Sequence, residues 1–212
     1  MRISEIFYSI QGEGVYAGVP MVFVRLQGCP FRCTWCDSVY TWDPKGGEEM
    51  ALEAVLGAAA KWPAKHACIT GGEPLAQPRE FKELAKALKQ RDYFIAVETS
   101  GGYALPMDAP VDSWVMDIKC PGSVMERHNK YGELARLRGC DQVKFVVASR
   151  RDFDFALDVL RKHPTRAAVL FSPAWDQVNP AELAEWVKSD APNARLSLQI
   201  HKVIWAPNRR GV

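Results

Sequence analysis

The sequence predicts an α/β fold: an incomplete TIM-type barrel of parallel strands with its helices on the outside. Three observations carry this. Short apolar runs rich in β-branched residues alternate with stretches of helical period, the pattern of strand, crossover helix and parallel strand. The chain has 212 residues, whereas closing eight strands takes ~250, so only part of a barrel is expected. The polar and glycine-rich motifs fall at the carboxyl ends of the expected strands, where such folds gather their chemistry. Residues 1–212 are read as one domain.

The elements follow in order. Glu5-Ile6-Phe7-Tyr8-Ser9-Ile10-Gln11-Gly12-Glu13-Gly14 reads as an edge hairpin with a Gly-Glu-Gly turn, within about residues 1–20. Strands are expected over Met21 to Leu26, Ala67 to Thr70, Phe94 to Glu98, Trp114 to Ile118, Gln142 to Val147, Ala167 to Phe171 and Leu196 to Ile200. Helices are expected over Glu48 to Lys61, Pro78 to Arg91, Val124 to Leu137, Arg151 to Lys162 and Pro180 to Lys188. In the second of these, Phe81, Leu84, Ala85 and Leu88 fall at i, i+3, i+4 and i+7, one helix face. The tail from Ile200 to Val212 is too apolar and aromatic for a frayed end, so a docked segment is expected.

Composition narrows the partners. Hydrophobic residues make up 48 % and charged residues 25 %, enough apolar material for a sizeable core. A net charge of +2 offers no field for nucleic acid or an anionic membrane. The first residues lack the apolar stretch of a signal peptide and no run reaches membrane-spanning length, so a cytoplasmic protein is expected. Cys68, Cys120 and Cys140 show no pairing framework, which fits a reducing compartment. They read as small hydrophobes, with Cys68 or Cys120 as a conceivable extra metal ligand.

The chemistry concentrates after the first strand, where Cys29, Cys33 and Cys36 stand in the run Gly28-Cys29-Pro30-Phe31-Arg32-Cys33-Thr34-Trp35-Cys36-Asp37. A four-iron cluster takes four ligands, and three local thiolates leave one iron open to a cofactor or substrate. The competing reading is a structural zinc site, but that pattern usually needs a second Cys-x2-Cys or a Cys/His pair, and none follows. At the next strand end, Thr70-Gly71-Gly72-Glu73-Pro74 lets a ligand approach bare backbone, with Glu73 adding charge or holding the loop; alone, it is also an ordinary tight turn.

The spacing Cys-x3-Cys-x2-Cys, with Trp35 before the third cysteine, resembles the signature of the radical S-adenosylmethionine (radical SAM) enzymes. The resemblance implies the radical SAM form of the partial barrel and a [4Fe-4S] cluster whose open iron binds the amino and carboxylate groups of SAM. It places Gly72 and Glu73 at the SAM amine. It sets Trp35 beside the adenine, although a flat apolar side chain serves packing equally well.

Gln11-Gly12-Glu13-Gly14 before the first strand, Phe23-Val24-Arg25-Leu26-Gln27-Gly28-Cys29, and Cys33-Thr34-Trp35-Cys36-Asp37-Ser38 together are similar to the 7-carboxy-7-deazaguanine synthases, over most of the chain. That family contracts 6-carboxy-5,6,7,8-tetrahydropterin to 7-carboxy-7-deazaguanine with loss of ammonia, on the way to queuosine and other deazapurines, and regenerates SAM. The resemblance implies that Ile10, Gln11, Gly12 and Glu13 line the pterin and that Thr70 touches it. The chain end, Val212, returns to the site. Arg25 pairs with the substrate carboxylate or closes a structural salt bridge. Ser38 is implied as the protein ligand of a magnesium ion, serine standing where several relatives carry threonine; without the resemblance Asp37-Ser38 reads as a cap. Ser100, Asp117, Ile118, Lys119, Ser172 and Pro173 match segments that hold SAM, though Asp117-Ile118 departs from the family pattern and Lys119 fits an ion pair as well.

The family further implies an external electron donor of flavodoxin or ferredoxin type and a homodimer. Two other readings compete: a glycyl-radical activating enzyme acting on a partner protein, and a zinc-stabilised binding domain. Against the first stand the pterin-like motif and the lack of a second cluster region; iron and zinc content decides the second.

Overall fold

A computed structural model describes every residue from Met1 to Val212. Nine strands form one sheet: β1 (Arg2–Ile10), β2 (Pro20–Leu26), β3 (Glu48–Glu49), β4 (His66–Gly71), β5 (Phe94–Thr99), β6 (Ser113–Asp117), β7 (Gln142–Val147), β8 (Ala168–Pro173) and β9 (Arg195–Leu196). Their order is β3-β1-β2-β4-β5-β6-β7-β8-β9. From β2 to β9 every pairing is parallel. β1 and β3 extend the edge in antiparallel sense, with β1 paired to β2 over Ile3 to Ile10.

The crossovers are α1 (Leu52–Ala59), α2 (Pro78–Lys89), α3 (Arg150–Lys162) and α4 (Pro180–Asp190), and a short α5 (Ile200–Ile204) follows the last strand. Local chemistry starts several of them. The Ser149 hydroxyl accepts from the Asp152 N–H, the Asn179 side-chain amide oxygen accepts from the Ala181 N–H, and proline opens α2 and α4. Phe81, Leu84, Ala85 and Leu88 of α2 are all buried, as their spacing requires.

Strand alternation sorts the side chains. Val24, Leu26, Ile69, Ile95, Val97, Trp114, Met116, Val143 and Phe145 pack into the main core. The residues between them face the other side, where a small apolar cluster of Met21, Phe23 and Cys68 gives way toward the strand ends to Arg25, Thr70, Glu98, Asp117 and Lys144. No helix is long and apolar enough to cross a membrane.

Three expected elements differ. Val124 to Leu137 is not a helix but a series of short 3₁₀ turns, Glu126–His128 and Tyr131–Arg136 following one at Pro121–Ser123. The Asn129 side chain binds the Lys119 backbone through both its oxygen and its nitrogen, each at 2.9 Å, and Val124 is left-handed at φ 59°. A side-chain bond that ties the segment to the backbone before it competes with the helix ladder. The expected strand Leu196 to Ile200 stops at Leu196, because the Ile200 N–H is drawn to the Gly12 carbonyl at 3.0 Å and α5 begins there. Glu48–Glu49 pair with Arg2 and Ile3 at the sheet edge, so α1 starts only at Leu52.

Candidate active site

The polar face of the sheet builds the site. Alternation brings Arg25 (β2), Thr70 (β4), Glu98 (β5), Asp117 (β6) and Lys144 (β7) to one concave wall, with Arg25 opposite Thr70 and Asp117 opposite Lys144 in register. Two cavities adjoin this wall and share Glu13, Arg25, Asp37, Ser38, Thr70, Glu98 and Lys202.

The first cavity is open to solvent, spans about 950 Å³ including its mouth, and is lined by all three cysteines of the motif, with Trp35, Gly71, Gly72, Ser100, Asp117 and Lys119. Gly28, at φ 95°, turns the chain out of β2 so that Cys29 faces inward. At Gly72 a Cβ would stand 2.7 Å from Cys29 Cβ and 2.6 Å from the Gly28 carbonyl oxygen, so only glycine lets the two loops close on each other. Burial pushes the Cys29 thiol up to about 11 and raises Cys33 as well. Such thiols stay protonated at neutral pH until a metal draws off the proton.

Several features of this wall fit the cluster and its cofactor. No three His, Cys, Asp or Glu side chains converge as a single tetrahedral ion would require. The three thiols instead line one chamber, and the remaining cysteines lie elsewhere: Cys68 and Cys120 are buried, and Cys140 is exposed. Asp117 Oδ1 is buried without a hydrogen-bond partner, an acceptor left for a ligand group. Its other oxygen takes the Lys119 ammonium at 3.0 Å. Burial opposes the Lys119 charge, but Asp117 and Cys33 raise its pKa above the ordinary value.

Glu73 works differently from a wall residue. It is fully buried and accepts from the Leu75 N–H at 2.8 Å, the Thr99 hydroxyl at 2.9 Å, the Ser100 N–H at 2.7 Å and the Ser100 hydroxyl. It therefore clamps the β4 and β5 ends together and holds the glycine loop. Ile118 lies in the core, Ser172 is buried, and Pro173 borders a surface hollow beside the cysteine chamber, the two sharing Ala174, Trp175 and Gln199.

The second cavity, about 790 Å³, is lined by Ile10, Gln11, Gly12, Glu13, Arg25, Thr70, Glu98, His201 and the tail from Pro207 to Val212. Glu98 is held at both oxygens, by Gln11 Nε2 at 3.2 Å and the Thr70 hydroxyl at 3.0 Å. Glu13 is likewise held by Lys144 Nζ at 2.6 Å and Gln199 Nε2 at 2.7 Å. Arg25 donates to Glu5 at 2.8 Å, so the structural salt bridge exists and the same guanidinium still lines both cavities. Burial keeps the His201 imidazole below its ordinary pKa despite the Glu13 carboxylate.

Ser38 stands where the cavities meet. Its hydroxyl donates to Asp37 Oδ1 at 3.1 Å, while Lys202 Nζ lies 3.1 Å from Asp37 Oδ2. Burial works against the Asp37 charge, but Lys202 holds its carboxyl below the ordinary value.

A partial parallel barrel with three cysteines, a glycine loop and an unpaired acceptor around one chamber defines a radical SAM protein, and the profile of the Radical SAM superfamily matches residues 23–132. The 7-carboxy-7-deazaguanine synthase of Koribacter versatilis is 39 % identical, with 100 % of both chains aligned. Those of Methanospirillum hungatei and Chlorobaculum tepidum are each 38 % identical, over 98 % and 100 % of this chain and 86 % and 97 % of theirs. The crystal structure of QueE from Escherichia coli superposes with a TM-score of 0.71 at 27 % identity, covering 93 % of each chain. The chain belongs to the 7-carboxy-7-deazaguanine synthase family.

Sequence reasoning passed over Glu5, Glu98, Lys144, Gln199, His201 and Lys202 as site residues. Two carried a signal: a glutamate in Phe94-Ile95-Ala96-Val97-Glu98 and a lysine in Gln142-Val143-Lys144-Phe145 interrupt buried parallel strands, where a charge needs a reason. The others come from distant segments that only folding brings in.

Proposed function

We propose that this chain converts 6-carboxy-5,6,7,8-tetrahydropterin to 7-carboxy-7-deazaguanine with release of ammonia, in the synthesis of queuosine and related 7-deazapurines. One observation carries the reading: an acid- and arginine-lined cavity opens directly onto the chamber of the three cysteines, across a shared wall.

Each residue has a task. Arg25 offers forked donors to the substrate carboxylate. Glu13 and Glu98, held in place by Lys144, Gln199, Gln11 and Thr70, accept from the amide-and-amine edge of the pterin. Ile10 and Gly12 wall the ring, and the tail with Val212 covers it and limits water. Cys29, Cys33 and Cys36 hold the [4Fe-4S] cluster, with Trp35, Gly72, Ser100, Asp117 and Lys119 around SAM. When bound, these groups supply the one-electron chemistry that starts the rearrangement at the pterin C6. Ser38, which lines both cavities, would give a Mg2+ ion one neutral oxygen beside the substrate, and such an ion takes few protein ligands. A flavodoxin- or ferredoxin-type protein supplies the electron, and the enzyme works as a cytoplasmic homodimer.

The test is anaerobic reconstitution followed by reaction of the reduced protein with the carboxypterin and SAM, with magnesium in one arm and a chelator in the other. About four irons per chain and formation of the deazaguanine acid are expected, with more product in the magnesium arm. Zinc without iron, or no product from iron-loaded protein, would overturn the assignment.

A further inference from the structure

Lys144 is a buried cation in an otherwise apolar run. In β7, Val143, Phe145 and Val147 pack under the helices, while the Lys144 side chain, 11 % exposed, points into the barrel. Burying an ammonium is unfavourable unless it is paired. Lys144 Nζ lies 2.6 Å from Glu13 Oε2 and 3.9 Å from Asp117 Oδ2. Glu13 arrives from the N-terminal loop, 131 residues away in sequence. Its other oxygen takes Gln199 Nε2 at 2.7 Å, so Glu13 is gripped on two sides.

We infer that Lys144 is a positioning residue, which keeps Glu13 ionised and oriented as an acceptor toward the donor edge of the bound pterin. The inference rests on the pterin reading above. It goes further in assigning the strand lysine a role in substrate recognition through Glu13, without touching substrate itself.

The charges facing Glu13 support this. Lining the same cavities are Lys144 from β7, Asp117 at the end of β6 and Lys119 just after it, Glu98 from β5, Arg25 from β2, Asp37 from the cysteine loop, and His201 and Lys202 from α5. Burial favours a protonated Glu13; Lys144 is the strongest influence in the other direction, followed by the Gln199 bond and His201. Without the ammonium, Glu13 faces Glu98 and Asp117 across a low-dielectric space, and like charges there favour protonation. A protonated Glu13 presents a hydroxyl donor where the pterin also donates.

The test measures pterin binding to the oxidised, SAM-loaded holoenzyme by anaerobic calorimetry from about pH 5.5 to 8.5. Wild-type affinity is expected to stay flat on the acid side. Lys144→Met is expected to bind about tenfold or more weakly near neutrality, and to weaken further as pH falls. Lys144→Arg keeps the charge and should restore the flat profile. Lys144→Gln, which can still donate to Glu13, gives the same test should the methionine variant not fold, and Glu13→Gln should bind weakly without an acid limb. A purely structural lysine would lower the unfolding temperature and leave the profile flat, and a flat, wild-type-like profile in Lys144→Met or Lys144→Gln would overturn the inference. Failure of the wild type itself to bind the pterin would instead overturn the functional reading.

Discussion

Arg25 Nε donates to Glu5 Oε1 at 2.8 Å, and the Tyr40 hydroxyl donates to the same oxygen at 2.7 Å. The Arg210 guanidinium lies 3.9 Å from the other Glu5 oxygen and 3.7 Å from the centre of the Tyr40 ring. One carboxylate on β1 thus organises both the arginine of the site and the returning tail. Substrate recognition by Arg25 and its structural salt bridge are compatible, because Glu5 fixes the guanidinium plane through Nε, Nη1 makes only a long bond to the Gly71 carbonyl at 3.4 Å, and Nη2 is left to donate.

Arg25→Lys keeps the charge and loses the fork. We expect KM for the carboxypterin to rise at least tenfold, about 1.4 kcal/mol, with a smaller change in kcat. A pterin lacking the carboxylate should show no difference between the two enzymes. Steady-state kinetics with both compounds checks this, and an equal loss on both would place Arg25 in structure alone.

Removing residues 207–212 strips one wall from the pterin-side cavity without touching the cysteine chamber. The expected result is weaker pterin binding by roughly tenfold with SAM affinity unchanged. Equilibrium binding of each ligand to the truncated holoenzyme reads the two separately.

Glu73→Ala should act mainly on stability. It leaves the Thr99 and Ser100 hydroxyls and the N–H groups of Leu75 and Ser100 without their acceptor in a fully buried place. The expected loss is about 3 kcal/mol or more, lowering the unfolding midpoint by roughly 6–12 °C for a chain of this size. Calorimetry decides: a change within a degree or two would mean that water or a neighbouring side chain takes over the clamp.

Asp141 sets an acid limit on stability far from the substrate. It accepts from the Arg138 N–H at 2.6 Å, the Arg138 guanidinium at 2.8 Å and the Trp114 N–H at 2.9 Å, which fastens β6 beside β7. Burial pushes its carboxyl up, but Arg138 and these N–H groups hold it below the ordinary 3.8. Its stabilisation is therefore present above about pH 4 and is lost as pH falls through the lower folded value. Asp141→Asn should be less stable at neutral pH and lose less on acidification. Urea midpoints at neutral pH and below pH 4 test this; parallel losses in the two proteins would exclude Asp141 as the group concerned.

Much of the barrel was legible because local rules agree with it. The Phe81, Leu84, Ala85 and Leu88 stripe is a buried helix face, and the β-branched runs from Met21 to Val147 are strands whose boundaries moved by at most one residue. The failures have one cause. Val124 to Leu137, Leu196 to Ile200 and Glu48 to Glu49 took their form from partners outside each segment, the Lys119 backbone, the Gly12 carbonyl and the Arg2–Ile3 edge, which the periodicity of the segment itself does not reveal.

By itself, the sequence determined the three-cysteine loop, the glycine loop at the next strand end and the family motifs around them, since spacing within a short segment survives folding intact. It also placed the polar motifs at strand ends. Tertiary structure alone decided which side chains meet: Glu13 with Lys144, Glu98 with Gln11 and Thr70, Asp37 with Lys202, and Glu5 with Arg25 and the tail. Strand alternation turns these residues to one face, but only the curvature of the sheet, the register of its strands and the returning C-terminal segment bring charges so far apart in sequence within hydrogen-bonding or ion-pair reach.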